Sequence, residues 1–258
     1  MINSVIEIAK EAGAFIREQR KTFSADKIEI KGLNDLVSYV DKTAEEIIVA
    51  ALSKVLPEAG FITEEKTINR TGERYNWIID PLDGTTNFIH GLPVYSVSIA
   101  LQEYDELVLG VVYEVNQDEC FYAEKGNSAY LNGNVIKVSD NPTLSKSLLA
   151  TGFPYYDFEK QPAYIALFTE LMQTCHGLRR LGSAAVDLAY TACGRFDGYY
   201  EYNLNSWDVA AGILIVRQAG GHVVNFKGGD ECLISRELLA TNGEITKEML
   251  SAIQKHFR

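Results

Sequence analysis

A chain of 258 residues with 47% hydrophobic residues is long enough for one large domain or two closely associated halves around a sizeable core. Its 35 acidic residues outnumber its 24 basic ones, and the net charge of −11 disfavours nucleic acid or an anionic membrane as the main partner. The sequence has no signal-peptide pattern, no apolar run of roughly 18 residues and no closely paired cysteines, so we expect a cytoplasmic protein with reduced thiols that does not span a membrane.

The first part of the chain predicts two amphipathic helices followed by short strands. Apolar residues recur at helical spacing in 2–21 and 42–56, and Pro57 ends the second helix. The apolar segments that follow have the length of strands and lie at 60–63, 75–79, 94–102, 107–115, 119–123 and 127–131. Asn132-Gly133 is a strong tight-turn signal. We therefore expect 40–140 to form a mostly antiparallel sheet covered by two helices.

Strands and helices alternate in the second part of the chain, beyond Asn141-Pro142. The predicted strands are 148–151, 178–181, 196–202, 222–226 and 238–241. The predicted helices are 161–175, 183–193, 207–219 and 246–257. This alternation is typical of a layered α/β arrangement. The sequence thus predicts an α+β N-terminal half, residues 1–140, and an α/β C-terminal half, residues 141–258.

The segment 77–88 places two carboxylates and a glycine-threonine turn directly after an apolar strand. We expect the strand to stop at Pro81, which cannot donate to a sheet ladder. Asp80 and Asp83 at its end carry the hard oxygen ligands that Mg²⁺ prefers. Gly84 lets the backbone approach a ligand closely, and the threonine after it is expected to cap a helix whose free amides favour an anion. Metal ligands and a phosphate cradle in one turn predict phosphate chemistry.

Two further acidic motifs accompany this turn. Asp208 stands in the first turn of a predicted helix after Ser206, a plausible N-cap, where the helix dipole favours a carboxylate whatever its role. Glu64-Glu65 follows an apolar pair and, alone, would indicate a solvated surface. Its place one strand before Asp80 favours a site instead. Bound divalent cations would also explain how so acidic a chain accepts a phosphate ester, because they invert the local charge.

Together these motifs resemble the inositol monophosphatase family. Residues 77–88 match its first signature throughout, 207–212 match its Trp-Asp signature, and Glu64-Glu65 matches its upstream glutamate pair. The resemblance implies a layered αβαβα sandwich of the inositol monophosphatase and fructose bisphosphatase type, and a homodimer. It also implies Mg²⁺-dependent, lithium-sensitive hydrolysis of a small-molecule phosphate monoester, with inositol monophosphate as the first expectation.

The resemblance assigns metal ligands on this chain. Glu64, Asp80 and the backbone carbonyl of Leu82 would hold one Mg²⁺, and Asp80, Asp83 and Asp208 would hold a second. A third, weaker Mg²⁺ near Glu64 is often found in the family, and Mn²⁺ could replace Mg²⁺. Two such ions together can activate a water and stabilise a leaving alkoxide.

The resemblance also assigns catalytic and phosphate-binding groups. The hydroxyl of Thr85, hydrogen-bonded to Asp41, is expected to activate the attacking water held beside Glu64. Asp41 could equally be a plain helix N-cap, because a predicted helix begins just after it. The backbone amides of Gly84 and Thr85 would bind the phosphate oxygens.

On the substrate side, the resemblance assigns hydrogen-bond acceptors for inositol hydroxyls to Asp83 and Glu201, and a backbone contact with the ring to Ala185. Lys31 matches a lysine of a mobile loop near the metal site, although a solvated lysine is an equally good interpretation. The segment 63–66 reads Thr-Glu-Glu-Lys where many family members read Gly-Glu-Glu-Ser. This departure puts the third metal in doubt.

Two alternatives stay open. The same machinery could act on the 2′-phosphate of NADP, fructose 1,6-bisphosphate, 3′-phosphoadenosine 5′-phosphate or histidinol phosphate. Glu201 favours a polyol, whereas a bisphosphate or nucleotide would require basic residues, for which Arg179, Arg180 and Arg195 are candidates unless they lie at the surface or a dimer contact. The other alternative is a regulatory or scaffold protein that retains the fold and binds RNA-handling machinery; the negative charge disfavours direct nucleic-acid binding.

Overall fold

A computed structural model describes residues 1–23, 28–32, 35–153 and 158–257. At 28–32 and 35–37 it describes the backbone but not the side chains. The helices in these ranges are α1 (Ile2–Thr22), α2 (Tyr39–Val55), α3 (Thr85–His90), α4 (Gln161–Thr174), α5 (Ala184–Ala192), α6 (Ser206–Gln218), α7 (Cys232–Ser235) and α8 (Thr246–His256). The strands are β1 (Ile28–Gly32), β2 (Asp35–Ser38), β3 (Gly60–Thr63), β4 (Tyr75–Asp83), β5 (Ser96–Glu103), β6 (Glu106–Glu114), β7 (Glu119–Glu124), β8 (Ala129–Leu131), β9 (Asn134–Ile136), β10 (Leu148–Thr151), β11 (Gly177–Arg179), β12 (Gly198–Tyr202), β13 (His222–Val224) and β14 (Glu237–Thr241). The side chain of Lys31 lies outside the described residues.

A seven-stranded sheet occupies the first half of the chain, in the order β3-β4-β5-β6-β7-β8-β9. Strands β3 and β4 are parallel, and every other neighbouring pair is antiparallel. Helices α1 and α2 pack on one face, because their apolar stripes, including Ile16 and Leu52, meet inward side chains such as Trp77 and Val111 in one buried cluster. The predicted α+β arrangement is confirmed here.

A five-stranded mixed sheet forms the second half, in the order β11-β10-β12-β14-β13. Helices α4 and α8 cover its outer face through a cluster that includes Leu167 and Met249. Helices α5 and α6 lie between the two sheets and contact both. The layers therefore follow the order helix, sheet, helix, sheet, helix, which confirms the predicted αβαβα sandwich.

The central helix α6 is apolar on nearly all sides, as expected of a helix covered on both faces. A Cβ added to Gly212 would lie 2.5 Å from the Cβ of Leu188, so glycine allows α5 and α6 to pack closely. The surrounding cluster draws on residues of both predicted halves, such as Ile78 and Ile213. A division at residue 140 stays a prediction.

Three local predictions differ from the structure. Strand β4 does not stop at Pro81 but continues to Asp83, because its pairing with β5 shifts register between Asp80 and Asp83 and the proline falls within this irregularity. Helix α2 begins at Tyr39, and helix α6 at Ser206. Strand β9 and the β1–β2 hairpin were not predicted.

In the described ranges, no helix combines the length and hydropathy needed to cross a membrane.

Candidate active site

A cavity of about 360 Å³ opens where β4 ends, where α5 and α6 begin, and beside β12. Its wall is strongly acidic. Among the described residues, six carboxylates line it: Glu64, Asp80, Asp83, Asp187, Glu201 and Asp208. The basic side chains of Lys66 and Arg180, also from the described part of the chain, line it with them. The structure thus brings together acidic residues from five separate stretches of the chain, and this excess of negative charge is the chief feature of the pocket.

The irregular end of β4 explains how Asp80 and Asp83 reach the same pocket. In a regular strand, residues three positions apart point to opposite faces of the sheet. Here Asp80 pairs with Ser98 and Asp83 with Ser96, so the β4 segment is longer by one residue than its partner, as in a bulge. An oxygen of Asp80 accepts the backbone N–H of Leu82 at 2.9 Å, which fixes the turn. The bulge lets both carboxylates face one cavity.

Asp83 joins the first half of the chain to the second. Its Oδ2 atom accepts a hydrogen bond from the Ser183 hydroxyl at 2.5 Å and one from the Ala185 backbone N–H at 2.7 Å. Burial raises the pKa of Asp83 to about 6, although the hydrogen bond from Ser183 lowers it. The predicted backbone contact of Ala185 with a sugar ring stays a prediction; its N–H is bound to the Asp83 carboxylate. Ser183 was not predicted as a site residue, although its place at the start of the predicted helix 183–193 was a signal.

Asp208 occupies the first turn of α6, three residues after the N-cap Asn205. Its Oδ2 atom accepts the Asn205 backbone N–H at 2.7 Å, which orients the side chain. Burial, and then the charge of Asp83, raise the pKa of Asp208 to about 8. The pKa of Asp80 lies well above its usual range, through burial first and then through the charges of Glu64, Asp83 and Asp208. The four carboxylates therefore interact as one group, with Asp80 at its centre.

This group of four carboxylates fits a hard divalent cation. Within the described ranges, no group of three or more histidine, cysteine or acidic side chains is already arranged to coordinate a metal ion. Asp80, Asp83 and Asp208 each give one oxygen to a hydrogen-bond donor of the protein, and their charges repel one another. A bound cation would replace this repulsion with attraction, and oxygen donors are what Mg²⁺ requires.

Thr85 lies beside this group at the first position of α3, because Gly84 and not Thr85 is the N-cap. Gly84 has a φ of 97°, a left-handed conformation that favours glycine. The Thr85 hydroxyl lies 2.9 Å from Oδ1 of Asp41 and 3.0 Å from the carbonyl oxygen of Leu82. A single hydroxyl hydrogen can be donated to one of these acceptors at a time.

Asp41 contacts both the start of α2 and the hydroxyl of Thr85. It is the third residue of α2, not the N-cap, and its Oδ2 atom accepts hydrogen bonds from the backbone N–H and the hydroxyl of Ser38 at 2.8 and 2.7 Å. This reciprocal arrangement with Ser38 is a capping box. Its other oxygen faces Thr85. Burial raises the pKa of Asp41, whereas the Ser38 hydrogen bonds lower it.

Glu201 lies on β12, lines the same cavity and accepts the Tyr199 hydroxyl hydrogen at 2.6 Å. Burial raises its pKa to about 7, and the Tyr199 hydrogen bond lowers it. A Cβ added to Gly152 would fall 1.9 Å from Oε2 of Glu201, so a side chain at this position would have to displace the carboxylate. Gly152 was not predicted as a site residue, because only its spatial neighbour reveals its role.

Asp187 is a third residue that the sequence analysis did not predict. It lies on α5 with 1% of its surface exposed, and its Oδ1 atom has no hydrogen-bond partner. Burial, followed by the charge of Glu201, raises its pKa well above the usual range. The sequence signal for Asp187 was an acidic residue within the run of small apolar residues at 183–193.

Of the three arginines considered from the sequence, the structure brings Arg180 to the cavity. The guanidinium of Arg195 forms two hydrogen bonds with the Glu119 carboxylate at 2.6 and 2.5 Å. Arg179 is exposed and donates to the carbonyl oxygen of Leu178 at 2.9 Å. Of these three arginines, Arg180 is therefore the one that shares the pocket with Asp187 and Glu201.

Comparison with known proteins agrees with this geometry. The family model described as "Inositol monophosphatase family" matches residues 1–258. An inositol-1-monophosphatase of Mesorhizobium japonicum is 38% identical over 256 residues, which cover 99% of this chain and 96% of the relative. A protein named Nus factor SuhB, from Pasteurella multocida, is 41% identical over 255 residues, which cover 98% of this chain and 96% of the relative.

Solved structures show the same similarity. The extragenic suppressor protein SuhB from Bartonella henselae superimposes with a TM-score of 0.92 at 39% identity, over 98% of each chain. The IMPase of Thermotoga maritima superimposes with a TM-score of 0.87 at 35% identity, over 97% of this chain and 95% of the other. The match of a family model to the whole sequence, together with these relatives, shows that the chain belongs to the inositol monophosphatase family.

Proposed function

We propose that this protein is a Mg²⁺-dependent phosphatase that hydrolyses small phosphate monoesters, with inositol monophosphate as the first candidate substrate. The observation that carries the proposal is the meeting of Glu64, Asp80, Asp83 and Asp208 in one pocket. Buried carboxylates that raise one another's pKa store electrostatic repulsion, which divalent cations relieve. The family assignment supports the same activity.

The proposed ligand sets are those that the family resemblance implies. Glu64, Asp80 and the Leu82 carbonyl would hold one ion, and Asp80, Asp83 and Asp208 a second, with Asp80 shared because it feels the charges of the other three. When bound, Mg²⁺ supplies charge neutralisation for the phosphate and lowers the pKa of a water. Mn²⁺ as a substitute and a third ion near Glu64 stay predictions.

The proposed role of Thr85 is to orient and deprotonate a water. Asp41 accepts the hydroxyl hydrogen of Thr85, so the lone pairs of the Thr85 oxygen can accept a hydrogen from a water in the cavity. The water passes one proton to the Thr85 oxygen while the Thr85 hydroxyl proton moves to Asp41. The water oxygen forms a bond to phosphorus while the ester P–O bond breaks, and the leaving alkoxide takes up a proton from solvent. Backbone amides of Gly84 and Thr85, at the same rim, are proposed to hold the phosphate oxygens.

The composition of the pocket supports a polyol as the alcohol part of the ester. Glu201, Asp83 and Asp187 offer acceptors for hydroxyl groups. Of the three arginines considered from the sequence, Arg180 lines the cavity with them. A second phosphate or a nucleotide would require more basic groups. We therefore place inositol monophosphate before the bisphosphates and nucleotides.

The test is phosphate release from inositol 1-phosphate, fructose 1,6-bisphosphate, 3′-phosphoadenosine 5′-phosphate and NADP, each with Mg²⁺ and with EDTA. We expect Mg²⁺-dependent turnover with the highest kcat/KM for inositol 1-phosphate, inhibition by Li⁺, and loss of turnover in Asp83→Asn. Turnover that persists in EDTA would exclude the proposed chemistry. A preference for NADP would leave the chemistry intact and change the substrate.

A second candidate function is regulatory, since one of the similar proteins is named a Nus factor. A partner captured equally by the wild type and by Asp83→Asn would show a function separate from hydrolysis.

The family resemblance further leads us to propose a cytoplasmic homodimer. Light scattering would test the dimer.

A further inference from the structure

We propose that Glu45 is a positioning residue that holds the backbone beside Glu64 and thereby sets the affinity of the pocket for its divalent cation. This inference rests on the proposed role of Glu64 as a metal ligand. Glu45 lies on α2, outside the cavity wall, and no motif identified it.

The Glu45 carboxylate is fully buried and receives three hydrogen bonds from one short segment. Its Oε2 atom accepts the backbone N–H of Glu65 at 2.8 Å. Its Oε1 atom accepts the backbone N–H and the hydroxyl of Thr67 at 2.8 and 2.7 Å. A charged acceptor with donors from two backbone amides makes stronger hydrogen bonds than a neutral one. The segment after Glu64 is therefore bound to α2 and not only to its own strand.

The backbone between the two bound amides has an uncommon conformation. Lys66 has a φ of 55°, in the left-handed region that L residues with side chains rarely adopt. A left-handed residue between two others can turn their amides towards one point and form a concave anion site. Here the anion is the Glu45 carboxylate, which stabilises a conformation that lysine disfavours. Loss of this acceptor would therefore release the turn.

Glu64 lies between this turn and a second anchor. Its own backbone N–H donates to the carbonyl oxygen of Ile79 on β4 at 3.3 Å, one residue before Asp80. The Glu45 hydrogen bonds begin one residue after it. The Glu64 backbone is thus fixed on both sides, with its side chain in a pocket where the neighbouring charges are negative. Like-charge repulsion would otherwise favour movement of the segment away from Asp80.

Helix α2 forms hydrogen bonds with two parts of the proposed active site, the turn at Thr85 and the segment after Glu64. Asp41 and Glu45 are four residues apart, so they lie on the same face of the helix, one turn from each other. Asp41 accepts the hydroxyl of Thr85, and Glu45 accepts the amides that follow Glu64. One rigid element therefore sets the distance between the segment that carries Glu64 and the turn that carries Thr85.

The decisive variant is Glu45→Gln, which keeps the shape and replaces one acceptor oxygen with an NH₂ group that cannot accept from an amide. Glu114→Gln is the matched control, because Glu114 is also buried at 1% exposure and accepts the Gln117 backbone N–H at 2.5 Å, but does not line the cavity. Thermal unfolding of both variants establishes that they fold. Should Glu45→Gln fail to fold, Thr67→Val removes one of the three hydrogen bonds and predicts a smaller change in the same direction.

The first readout is amide hydrogen exchange in the metal-free protein. We expect the amides of Glu65 and Thr67 to exchange at least about tenfold faster in Glu45→Gln than in the wild type, and to be unchanged in Glu114→Gln. Unchanged exchange at both amides in Glu45→Gln would overturn the proposal.

The second readout is cation binding, measured by Mn²⁺ titration and by the Mg²⁺ concentration that gives half-maximal phosphate release. We expect Glu45→Gln to raise both about tenfold, while kcat at saturating Mg²⁺ stays within about twofold of the wild type, because a residue behind a ligand acts mainly on affinity. A fall in kcat with unchanged affinity would overturn the positioning role. A wild type that neither binds Mn²⁺ nor releases phosphate would instead refute the proposed function, and hydrogen exchange would still decide whether Glu45 holds the segment.

Discussion

The hydroxyl of Thr85 lies 2.9 Å from the carboxylate of Asp41, although the two residues are 44 positions apart in the sequence. Asp41 is fixed in turn by Ser38 at the start of α2. The hydroxyl is therefore oriented by a buried acceptor and not by solvent. A side chain oriented in this way is suited to take part in proton transfer.

The first prediction concerns this pair. Thr85→Val keeps the shape of the side chain and removes the hydroxyl, so we expect kcat to fall by about 10²-fold or more, with a smaller change in KM. Thr85→Ser keeps the hydroxyl and is expected to retain most of the activity. Steady-state kinetics at saturating Mg²⁺ measures both, and a valine variant with wild-type kcat would exclude a role for the hydroxyl.

The second prediction is an unusual pH dependence of stability in EDTA. Burial raises the folded-state pKa values of Asp83, Glu201 and Asp208 to about 6, 7 and 8, from ordinary values of 3.8, 4.5 and 3.8. The unfolded chain loses these protons at lower pH than the folded chain, so the free energy of unfolding falls as the pH rises through this window. We expect a lower Tm at about pH 8.5 than at about pH 6.

Mg²⁺ should reverse this slope, because it binds the ionised carboxylates of the folded chain. Differential scanning calorimetry at both pH values, with EDTA and with Mg²⁺, measures the effect. Asp208→Asn removes one of the titrating groups and should flatten the slope in EDTA. The same slope with EDTA and with Mg²⁺ would contradict the proposed cation site.

The third prediction is that Asp187→Asn stabilises the metal-free protein. The Oδ1 atom of Asp187 is buried without a hydrogen-bond partner, and burial raises the pKa of the group well above its usual range. Removing the ionisable group should increase the free energy of unfolding near neutral pH by about 1 kcal/mol, a rise in Tm of roughly 2–4 °C.

A matched control is Asp197→Asn, because Asp197 is also buried but accepts hydrogen bonds from the Ser139 hydroxyl at 2.5 Å and the Leu148 backbone N–H at 2.7 Å. That substitution should destabilise the protein by about 1–3 kcal/mol, since it leaves a buried donor unsatisfied. Thermal unfolding in EDTA compares the two. Destabilisation by Asp187→Asn of the same size as in the control would refute the prediction.

The fourth prediction concerns the space that Gly152 leaves for Glu201. A Cβ at position 152 would fall 1.9 Å from Oε2 of Glu201 and must displace the carboxylate. We expect Gly152→Ala to raise KM for inositol 1-phosphate about tenfold while changing KM for p-nitrophenyl phosphate, which has no polyol, much less. Gly177→Ala is the control, because its nearest contacts would be 3.3 Å or more. Equal effects on both substrates would show that Glu201 does not select the polyol.

The sequence was most informative where chemistry is local. The acidic end of β4 and the turn that follows it combine the predicted metal ligands and the predicted phosphate loop within a few residues, so their position at a pocket was predictable. The stop at Pro81 was wrong for a physical reason: a proline needs no ladder hydrogen bond inside a bulge, and the bulge is visible only from the pairing of Asp80 and Asp83 with β5.

Other parts of the site depend on partners far away in the chain. Gly152 matters because Glu201 lies against it, and Glu45 because Glu65 and Thr67 donate to it. Neither residue has a spacing that distinguishes it from an ordinary glycine or a helical glutamate. Asp187 was detectable as an acid in an apolar pattern, but its missing partner was not. Long-range contacts decide such roles, and local patterns do not encode them.

The hydrogen bonds from Ser183 and Ala185 to Asp83 cross from the second half of the chain to the first. Glu64, Asp80 and Asp83 come from the first half, and Asp208 from the second. A folding intermediate with only one half formed would therefore lack part of the cation site. Divalent cations would bind the completed fold alone and shift the equilibrium towards it by mass action. Cations present during synthesis would then favour chains in which both halves are folded and packed together.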